Sequence, residues 1–284
     1  MAANEIAKDE QAAADFTLAE LCIAAAARAW ADDGELLASG LGTAPRLAAG
    51  LAWLTLNPDL MMTDSECMLV GEPVPPGPRG DYRPKVEGWL PFRAIFDLIA
   101  GGRRHAMTMP TQIDRYGGTN ISVIGDYDHP KVALLGVRGI PGNTINHPCS
   151  FFIPSHSTRS FVESVDMLSG VSYDPSRWPA GARREFHDYR LVVSNLAVLD
   201  FGGTDDQGAR TMRLVSTHPG VSVEQVQEAT GFELALADNI VETPAPTAEQ
   251  LAVLRGRLDP HNLRATVFPP AKSPPAKSGA AKKG

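Results

Sequence analysis

The feature that most constrains this chain is the alternation of short apolar runs with amphipathic segments along most of its length. A helical pattern over residues 17–33 is followed by an apolar run at 35–38, a second helical pattern at 46–56 and another run at 60–63. Such alternation is typical of βαβ units, in which helices cover a largely parallel sheet. Hairpin-like runs within residues 190–215 add antiparallel strands in the C-terminal part. We therefore predict an α/β fold with an open, mostly parallel sheet flanked by helices.

The two ends of the chain differ in composition from this alternating part. Residues 268–284 consist mainly of Pro, Ala, Lys and Ser, so they have almost nothing to bury, and we expect a disordered tail. Residues 1–16 mix charges with alanines and lack the apolar core of a secretory signal, so we expect a flexible N-terminus. The predicted organisation is a single domain over residues 17–267.

Charge and composition exclude several classes of function. A formal net charge of -7 provides no basic surface for nucleic acid. No apolar run approaches the roughly 18 residues that a membrane-spanning helix needs. The three cysteines lack CxxC spacing, which favours free thiols in the cytoplasm. The histidines have no metal-type spacing, so we predict no metal site.

A glycine turn, GLGTAP at residues 40–45, separates a predicted strand from a predicted helix. Gly40 and Gly42 would let the backbone approach a ligand, and the helix N-terminus would direct free N–H groups at negative charge. Such a turn can hold a phosphate or a thioester oxyanion, but an ordinary tight turn has the same sequence.

Two further segments carry candidate chemistry. The acidic segment at residues 64–67 follows a predicted strand, where Glu66 could act as a nucleophile or base, or simply be a surface acid. Residues 136–147 combine glycines and asparagines with His147 directly behind an apolar strand. That composition predicts a loop that surrounds a substrate, in which His147 is either a general base or a residue that satisfies the loop backbone.

Together these segments resemble the β subunits of class I CoA-transferases, in order from about residue 17 to 265. The matching motifs are GLGTAP at 40–45, SECML at 65–69, QIDRYG at 112–117, NLAVLD at 195–200 and HPGVSVEQV at 218–226. One departure concerns the nucleophile motif, because Cys67 and Met68 replace the family's small Asn-Gly pair.

Longer stretches are similar to one branch of this family, the actinobacterial cholesterol ring-cleaving hydrolases. They are GWLPF at residues 88–92, GGRRH at 101–105 and VRGIPGNTINH at 137–147. Members of this branch have the CoA-transferase fold and open the last steroid-derived ring by adding water, while the product stays attached to CoA.

The resemblance implies a set of roles and partners. It makes Glu66 the catalytic carboxylate of a transferase, whereas in the ring-cleaving branch the working carboxylate belongs to the α subunit and Glu66 would only position groups. It gives substrate or oxyanion binding to Gly40, Gly42, Gly139, Gly142, Asn143, Asn146 and His147. It implies no bound cofactor, coenzyme A as part of an acyl-CoA substrate, and an α subunit in an α2β2-like assembly. Three functions remain open: a ring-opening hydrolase subunit, a CoA-transferase subunit that forms a glutamyl-CoA thioester, and a non-catalytic subunit that completes its partner's pocket.

Overall fold

The computed structural model describes residues 15–64 and 68–268. The helices are α1 (Leu18–Ala27), α2 (Thr43–Thr55), α3 (Phe92–Ala100), α4 (Ile140–Asn146), α5 (Val223–Glu228) and α6 (Ala248–Val253). The strands up to the middle of the chain are β1 (Leu37–Gly40), β2 (Met62–Asp64), β3 (Met68–Val70), β4 (Val86–Trp89), β5 (Arg104–Thr108), β6 (Gln112–Ile113) and β7 (Thr119–Asn120). The later strands are β8 (Val123–Gly125), β9 (Pro130–Ala133), β10 (Pro148–Ile153), β11 (Asp188–Ser194), β12 (Ala197–Thr204), β13 (Arg210–Thr217) and β14 (Ala235–Glu242).

A seven-stranded sheet forms the centre of the molecule, in the order β1-β5-β10-β11-β12-β13-β14. The first four of these strands run parallel to one another. Strand β12 is antiparallel to both β11 and β13, and β14 pairs with β13 in parallel. The predicted α/β fold, mostly parallel with antiparallel strands in the C-terminal part, is therefore confirmed.

The hydrophobic core has two parts, one on each face of this sheet. Neighbouring side chains on a strand point to opposite faces, so Phe152 packs in the cluster with Trp30 and helices α1 and α2, while Phe151 packs with Phe161 and Phe201. All of these aromatic side chains are buried. The sheet is thus covered on both sides, as a parallel sheet requires.

Helix α1 begins where the sequence predicts. The Thr17 hydroxyl accepts from the Glu20 backbone N–H at 3.3 Å, and the Glu20 carboxylate accepts from the Thr17 N–H at 2.9 Å. This reciprocal pair is the capping box that stabilises helix N-termini. The predicted flexible ends stay a prediction, because residues 1–14 and 269–284 lie outside the described part.

Smaller antiparallel sheets lie beside the central one. Strands β2, β3 and β4 form one of them, while β6 with β7 and β8 with β9 form two-stranded pairs. The long loop over residues 71–84 contains no helix or strand. Within the described residues, no helix combines the length and the apolar character that crossing a bilayer would require.

Candidate active site

A crevice opens where strands β1 and β2 separate. Leu37 and Met61 form a parallel bridge, after which β1 continues in the central sheet and β2 turns into the small sheet with β3. Ligands in α/β sheets bind in such gaps beyond the carboxyl ends of strands. The crevice measures about 90 Å³, and its lining includes Ser39, Gly40, Arg46, Thr63, Ile95 and Arg104. We refer to it as the β1–β2 crevice.

The two arginines give this crevice a positive character. The Arg104 Nε donates to the Ser39 hydroxyl at 2.9 Å, and the Arg104 side chain is almost fully buried. Burial lowers the pKa of the Arg46 guanidinium, against the opposing effect of the Asp64 carboxylate. The desolvated charges would interact strongly with an anionic group or a developing oxyanion, because little water is present to screen them.

The predicted glycine turn forms one wall of the crevice. A Cβ at Gly40 would lie 2.2 Å from the Pro45 carbonyl oxygen, so no other residue fits there without a backbone shift. Gly42 has φ +116°, and a Cβ would lie 2.5 Å from the Met109 Sδ. Close packing therefore requires Gly40, whereas the backbone conformation requires Gly42. Gly40 also lines the crevice, and Gly42 is the N-cap of the 13-residue helix α2.

Asp64 fixes the end of β2 beside the crevice. Arg79 donates to both of its carboxylate oxygens, at 2.7 and 2.6 Å, and the Arg46 Nη2 lies 3.7 Å away. Since Arg79 belongs to the 71–84 loop, this bidentate pair ties the loop to the strand. Glu66, the predicted catalytic carboxylate, lies outside the described residues, so its predicted role stays a prediction.

The predicted substrate loop is in fact helical. Residues 140–146 form α4, with Gly139 as its N-cap and Pro141 in its first turn, where a missing N–H costs nothing. The Asn146 Nδ2 donates to the Gly142 carbonyl oxygen at 2.7 Å within this helix. The prediction of a loop at this position was therefore wrong.

His147 is enclosed by its own neighbours. It is only 1% exposed, with Nδ1 2.9 Å from the Pro148 carbonyl oxygen and Nε2 3.2 Å from the side-chain amide of Asn143. Burial lowers the pKa of His147 to about 4, so the ring is neutral near pH 7. A neutral ring whose two nitrogens both contact neighbouring protein groups fits a residue that satisfies local backbone groups better than it fits a general base.

The structure does not bring His147 to the glycine turn. His147 precedes the first residue of β10, whereas Gly40 is the last residue of β1, and both strands are parallel to β5 between them. The two residues therefore lie toward different ends of the sheet. Helix α4 is linked to the crevice indirectly, because it packs against α3, which carries Ile95 into the lining.

A serine, a histidine and an aspartate also meet inside the protein. His105 Nδ1 lies 2.6 Å from an Asp33 carboxylate oxygen, and Nε2 lies 2.9 Å from the Ser150 hydroxyl. The order matches that of a serine hydrolase triad. However, His105 and Ser150 are both 0% exposed, so no substrate can reach the hydroxyl, and the arrangement is part of the core.

Sequence reasoning missed most of the crevice lining. Arg46 lies one residue beyond the predicted turn. Its position directly after a glycine turn was the sequence signal that could have identified it as a lining residue. Arg104 and Ser39 are 65 residues apart in sequence, so only the pairing of β1 with β5 brings them together. Among the described residues, no three His, Cys, Asp or Glu side chains cluster as metal ligands would.

No family model matches the chain. It is 44% identical to the cholesterol ring-cleaving hydrolase IpdB subunit of Rhodococcus jostii RHA1, over 88% of this chain and 95% of that protein. The corresponding subunit of Mycobacterium tuberculosis H37Rv is 42% identical, over 87% and 97%. The chain belongs to the IpdB subunit family.

Solved structures agree with the assignment to the IpdB family. The crystal structure of Rhodococcus jostii RHA1 IpdAB superposes with a TM-score of 0.80 and 43% identity, over 90% of this chain and 99% of that one. Glutaconate CoA-transferase from Acidaminococcus fermentans superposes with a TM-score of 0.73 at 24% identity, over 87% and 96%, which shows the common fold. One subunit of the 3-oxoadipate CoA-transferase of Pseudomonas knackmussii is 29% identical in sequence, over 84% and 92%. The predicted CoA-transferase fold and the predicted branch are both confirmed.

Proposed function

We propose that this chain is the β-type subunit of a hydrolase that opens a steroid-derived ring carried on coenzyme A. The observation that carries the proposal is the 44% identity to an IpdB subunit across 95% of its length, against 29% to a CoA-transferase subunit. The β1–β2 crevice supports it, because a ring-opening hydrolase must stabilise negative charge.

The chemistry divides between two subunits in this proposal. Water adds to a ring ketone, the adjacent C–C bond breaks, and the bonding electrons form an enolate that is then protonated. As the family resemblance implies, a carboxylate of the α subunit acts as the base on water. Arg46 and Arg104 would supply positive charge to the oxyanion, and the Ser39 and Thr63 hydroxyls would donate hydrogen bonds.

The proposal includes a partner, a compartment and no resident cofactor. The related crystal structure is described as IpdAB, a pair of subunits, and we infer an α2β2-like assembly with an α subunit. Coenzyme A serves as the handle of the substrate. The absence of CxxC spacing and the buried free thiols of Cys22 and Cys149 fit a reducing cytoplasm.

A CoA-transferase subunit is the alternative function. It is supported by the Gly40–Gly42 turn and by a carboxylate at position 66, where the family forms a glutamyl-CoA thioester. Cys67 and Met68, in place of Asn-Gly, count against it.

One experiment separates the two functions. The chain is co-expressed with its α subunit, and the complex is incubated with a cyclic keto acyl-CoA. The product is analysed by mass spectrometry, and a second sample is reduced with borohydride before peptide analysis. A hydrolase yields a product that has gained one water and kept its CoA, with Glu66 unmodified. Acyl-CoA-dependent reduction of Glu66 to an alcohol would instead identify a transferase.

A pair of variants makes the same distinction in the kinetics. Glu66→Gln abolishes a transferase, because the nucleophile is removed, whereas a hydrolase whose base is on the α subunit keeps measurable ring opening. Glu87→Gln is the control, since this exposed carboxylate on the neighbouring strand β4 pairs with exposed Lys85 at 2.8 Å. It should behave like the wild type under either function.

A further inference from the structure

A second cavity lies at the carboxyl ends of β5 and β10. It measures about 500 Å³, within the range of pockets that enclose a small ligand. Thr111 follows β5, and Ser155, Thr158 and Arg159 follow β10, so that three hydroxyls and a guanidinium are exposed at its mouth. We call it the β10 pocket.

The lack of acidic lining residues distinguishes the β10 pocket from the other large cavities. A cavity of about 370 Å³ beside β11 is lined by three aspartates together with four arginines, and one of about 500 Å³ beside α1 by Asp15 and Glu20 together with Arg255 and Arg264. Acidic side chains in both would repel or compete with an anion. Among the described residues that line the β10 pocket, none is acidic, and Arg159 is the charged one. In a chain of net charge -7, this cavity is therefore suited to an anion.

The hydroxyl-bearing loop is held in place by partly buried hydrogen bonds. The Ser160 hydroxyl donates to the Ser157 carbonyl oxygen at 3.0 Å, and the Ser160 carbonyl oxygen accepts from the Ile113 N–H at 2.7 Å. The His156 N–H donates to the Asn195 Oδ1 at 2.7 Å. A loop fixed in this way loses little conformational entropy when a ligand binds.

The segment that follows β5 connects the glycine turn of the β1–β2 crevice to the β10 pocket. Met109 follows β5 and approaches Gly42, at the crevice, and Thr111 is two residues further along the chain. A long flexible molecule could therefore have its reactive end in the crevice and its other end in the β10 pocket. Arg159 has no ion pair or hydrogen bond to any residue that the structure describes, so its guanidinium is available to a ligand.

We propose that the β10 pocket binds the phosphoadenosine end of the acyl-CoA substrate, an inference that rests on the proposed function. Arg159 binds a phosphate, and the Ser155 and Thr158 hydroxyls donate hydrogen bonds to phosphate or ribose oxygens. Ile124 and Val162 provide apolar surface for the adenine ring. The pantetheine arm then passes Met109 to reach the crevice.

The test measures nucleotide binding apart from ring opening. Adenosine 3′-phosphate 5′-diphosphate is titrated calorimetrically into the α/β complex carrying wild-type, Arg159→Ala, Thr158→Val or Arg103→Ala chain. Arg103→Ala is the matched control, because it removes one exposed arginine at the opposite, amino end of β5, 3.5 Å from Glu35. Thermal melting of each complex checks that the variants fold.

The nucleotide is expected to bind the wild type and the Arg103→Ala control equally, and Arg159→Ala about tenfold more weakly. Thr158→Val should weaken binding less. In ring opening, Arg159→Ala should raise KM for the CoA thioester with kcat unchanged, and leave the matching pantetheine thioester unaffected. Equal binding by Arg159→Ala and wild type, or equal loss with both thioesters, would overturn the assignment.

The outcomes also separate this inference from the proposed function. If the wild-type complex opens no ring but binds the nucleotide through Arg159, the function is wrong and the nucleotide site stands. If the ring opens and Arg159→Ala has no effect, the function stands and the nucleotide site is wrong.

Discussion

At the scale of single residues, the Asp64–Arg79 pair controls the loop beside the crevice. Arg79→Ala should lower the free energy of unfolding by about 1 kcal/mol, because the lost bidentate hydrogen bonds are partly exposed to water. The loop at residues 71–84 should also be cleaved faster in limited proteolysis. Arg83→Ala is the control, since exposed Arg83 donates to carbonyl oxygens of its own loop. Equal behaviour of the two variants would contradict this role.

Buried His147 predicts a specific pH dependence of stability. Its pKa falls from 6.5 to about 4 on folding, so between these values the unfolded chain binds a proton that the folded chain does not. The contribution of neutral His147 to the free energy of unfolding is fully present above pH 6.5. It is lost as the pH falls toward 4, by up to about 1.4 kcal/mol per pH unit. Burial raises the pKa of Asp114 to about 6, which acts in the opposite direction in part of this window.

The comparison of His147→Gln with the wild type isolates the histidine, because Asp114 is common to both. The free energy of unfolding of His147→Gln, measured in urea from pH 4 to 7, should depend less on pH than that of the wild type. KM for the acyl-CoA should stay within about twofold, since the ring is buried. Exposed His129→Gln should match the wild type in both measurements. A strongly raised KM in His147→Gln would restore the substrate-binding role.

At the scale of elements, Glu20 joins the first helix to the C-terminal segment. Its carboxylate accepts from Arg255 at 2.7 Å and from Arg264 at 3.0 Å, in addition to capping α1. Burial alone would raise the pKa of Glu20, but hydrogen bonds from Arg255, Thr17 and Arg264 lower it to about 2. The charged form therefore stabilises the fold.

Glu20→Gln should lower the free energy of unfolding by about 2 kcal/mol at pH 7. The folded-state pKa is below the unfolded value of 4.5, so the wild-type advantage is present above pH 4.5 and is lost as the pH falls toward 2. Glu35→Gln is the control, because Glu35 and Arg103 are both exposed and 3.5 Å apart. Urea unfolding from pH 3 to 7 checks the expectation, and a pH-independent difference would show that the carboxylate charge is not the cause.

Local sequence signals predict some elements well and others poorly. The capping boxes at Thr17 and Ser222 are readable from the sequence, because a capping box is determined by residues within one turn. Strand β14 was missed, since an edge strand with mostly exposed side chains lacks a clear apolar alternation. Helix α6 is only six residues long, too short to show helical periodicity. In α4, the glycines and Pro141 led to the prediction of a loop, whereas tertiary packing selects a helix.

At the scale of the whole molecule, the candidate site depends on topology that sequence spacing does not contain. The place of Gly40 in the site could be predicted, because its turn is determined by neighbouring residues in the sequence. Ser39 and Arg104 come into contact only because β1 pairs with β5. The crevice itself forms only because β2 leaves the central sheet. The family resemblance supplied the fold that composition alone left open.

An apolar face adjoins the crevice and needs a partner. Trp89, Phe92 and Phe96 are 70%, 62% and 55% exposed, and Met68 pairs with Trp89 across β3 and β4. The two phenylalanine rings of α3 meet edge to face at 5.3 Å. Exposed aromatic clusters mark interaction surfaces. Because Ile95 of the same helix lines the crevice, a subunit that covers this face would also close the site.

We therefore expect the proposed α subunit to cover this face. The double variant Phe92→Ser/Phe96→Ser should weaken subunit association more than tenfold, because each buried phenylalanine contributes about 2 kcal/mol. Co-purification and size-exclusion chromatography of the co-expressed chains measure the effect. Tyr127→Ser is the control, since Tyr127 is 67% exposed but lies beyond β8, outside this face. If the double variant assembled like the wild type while Tyr127→Ser did not, the α subunit would have to bind near the β8–β9 pair instead.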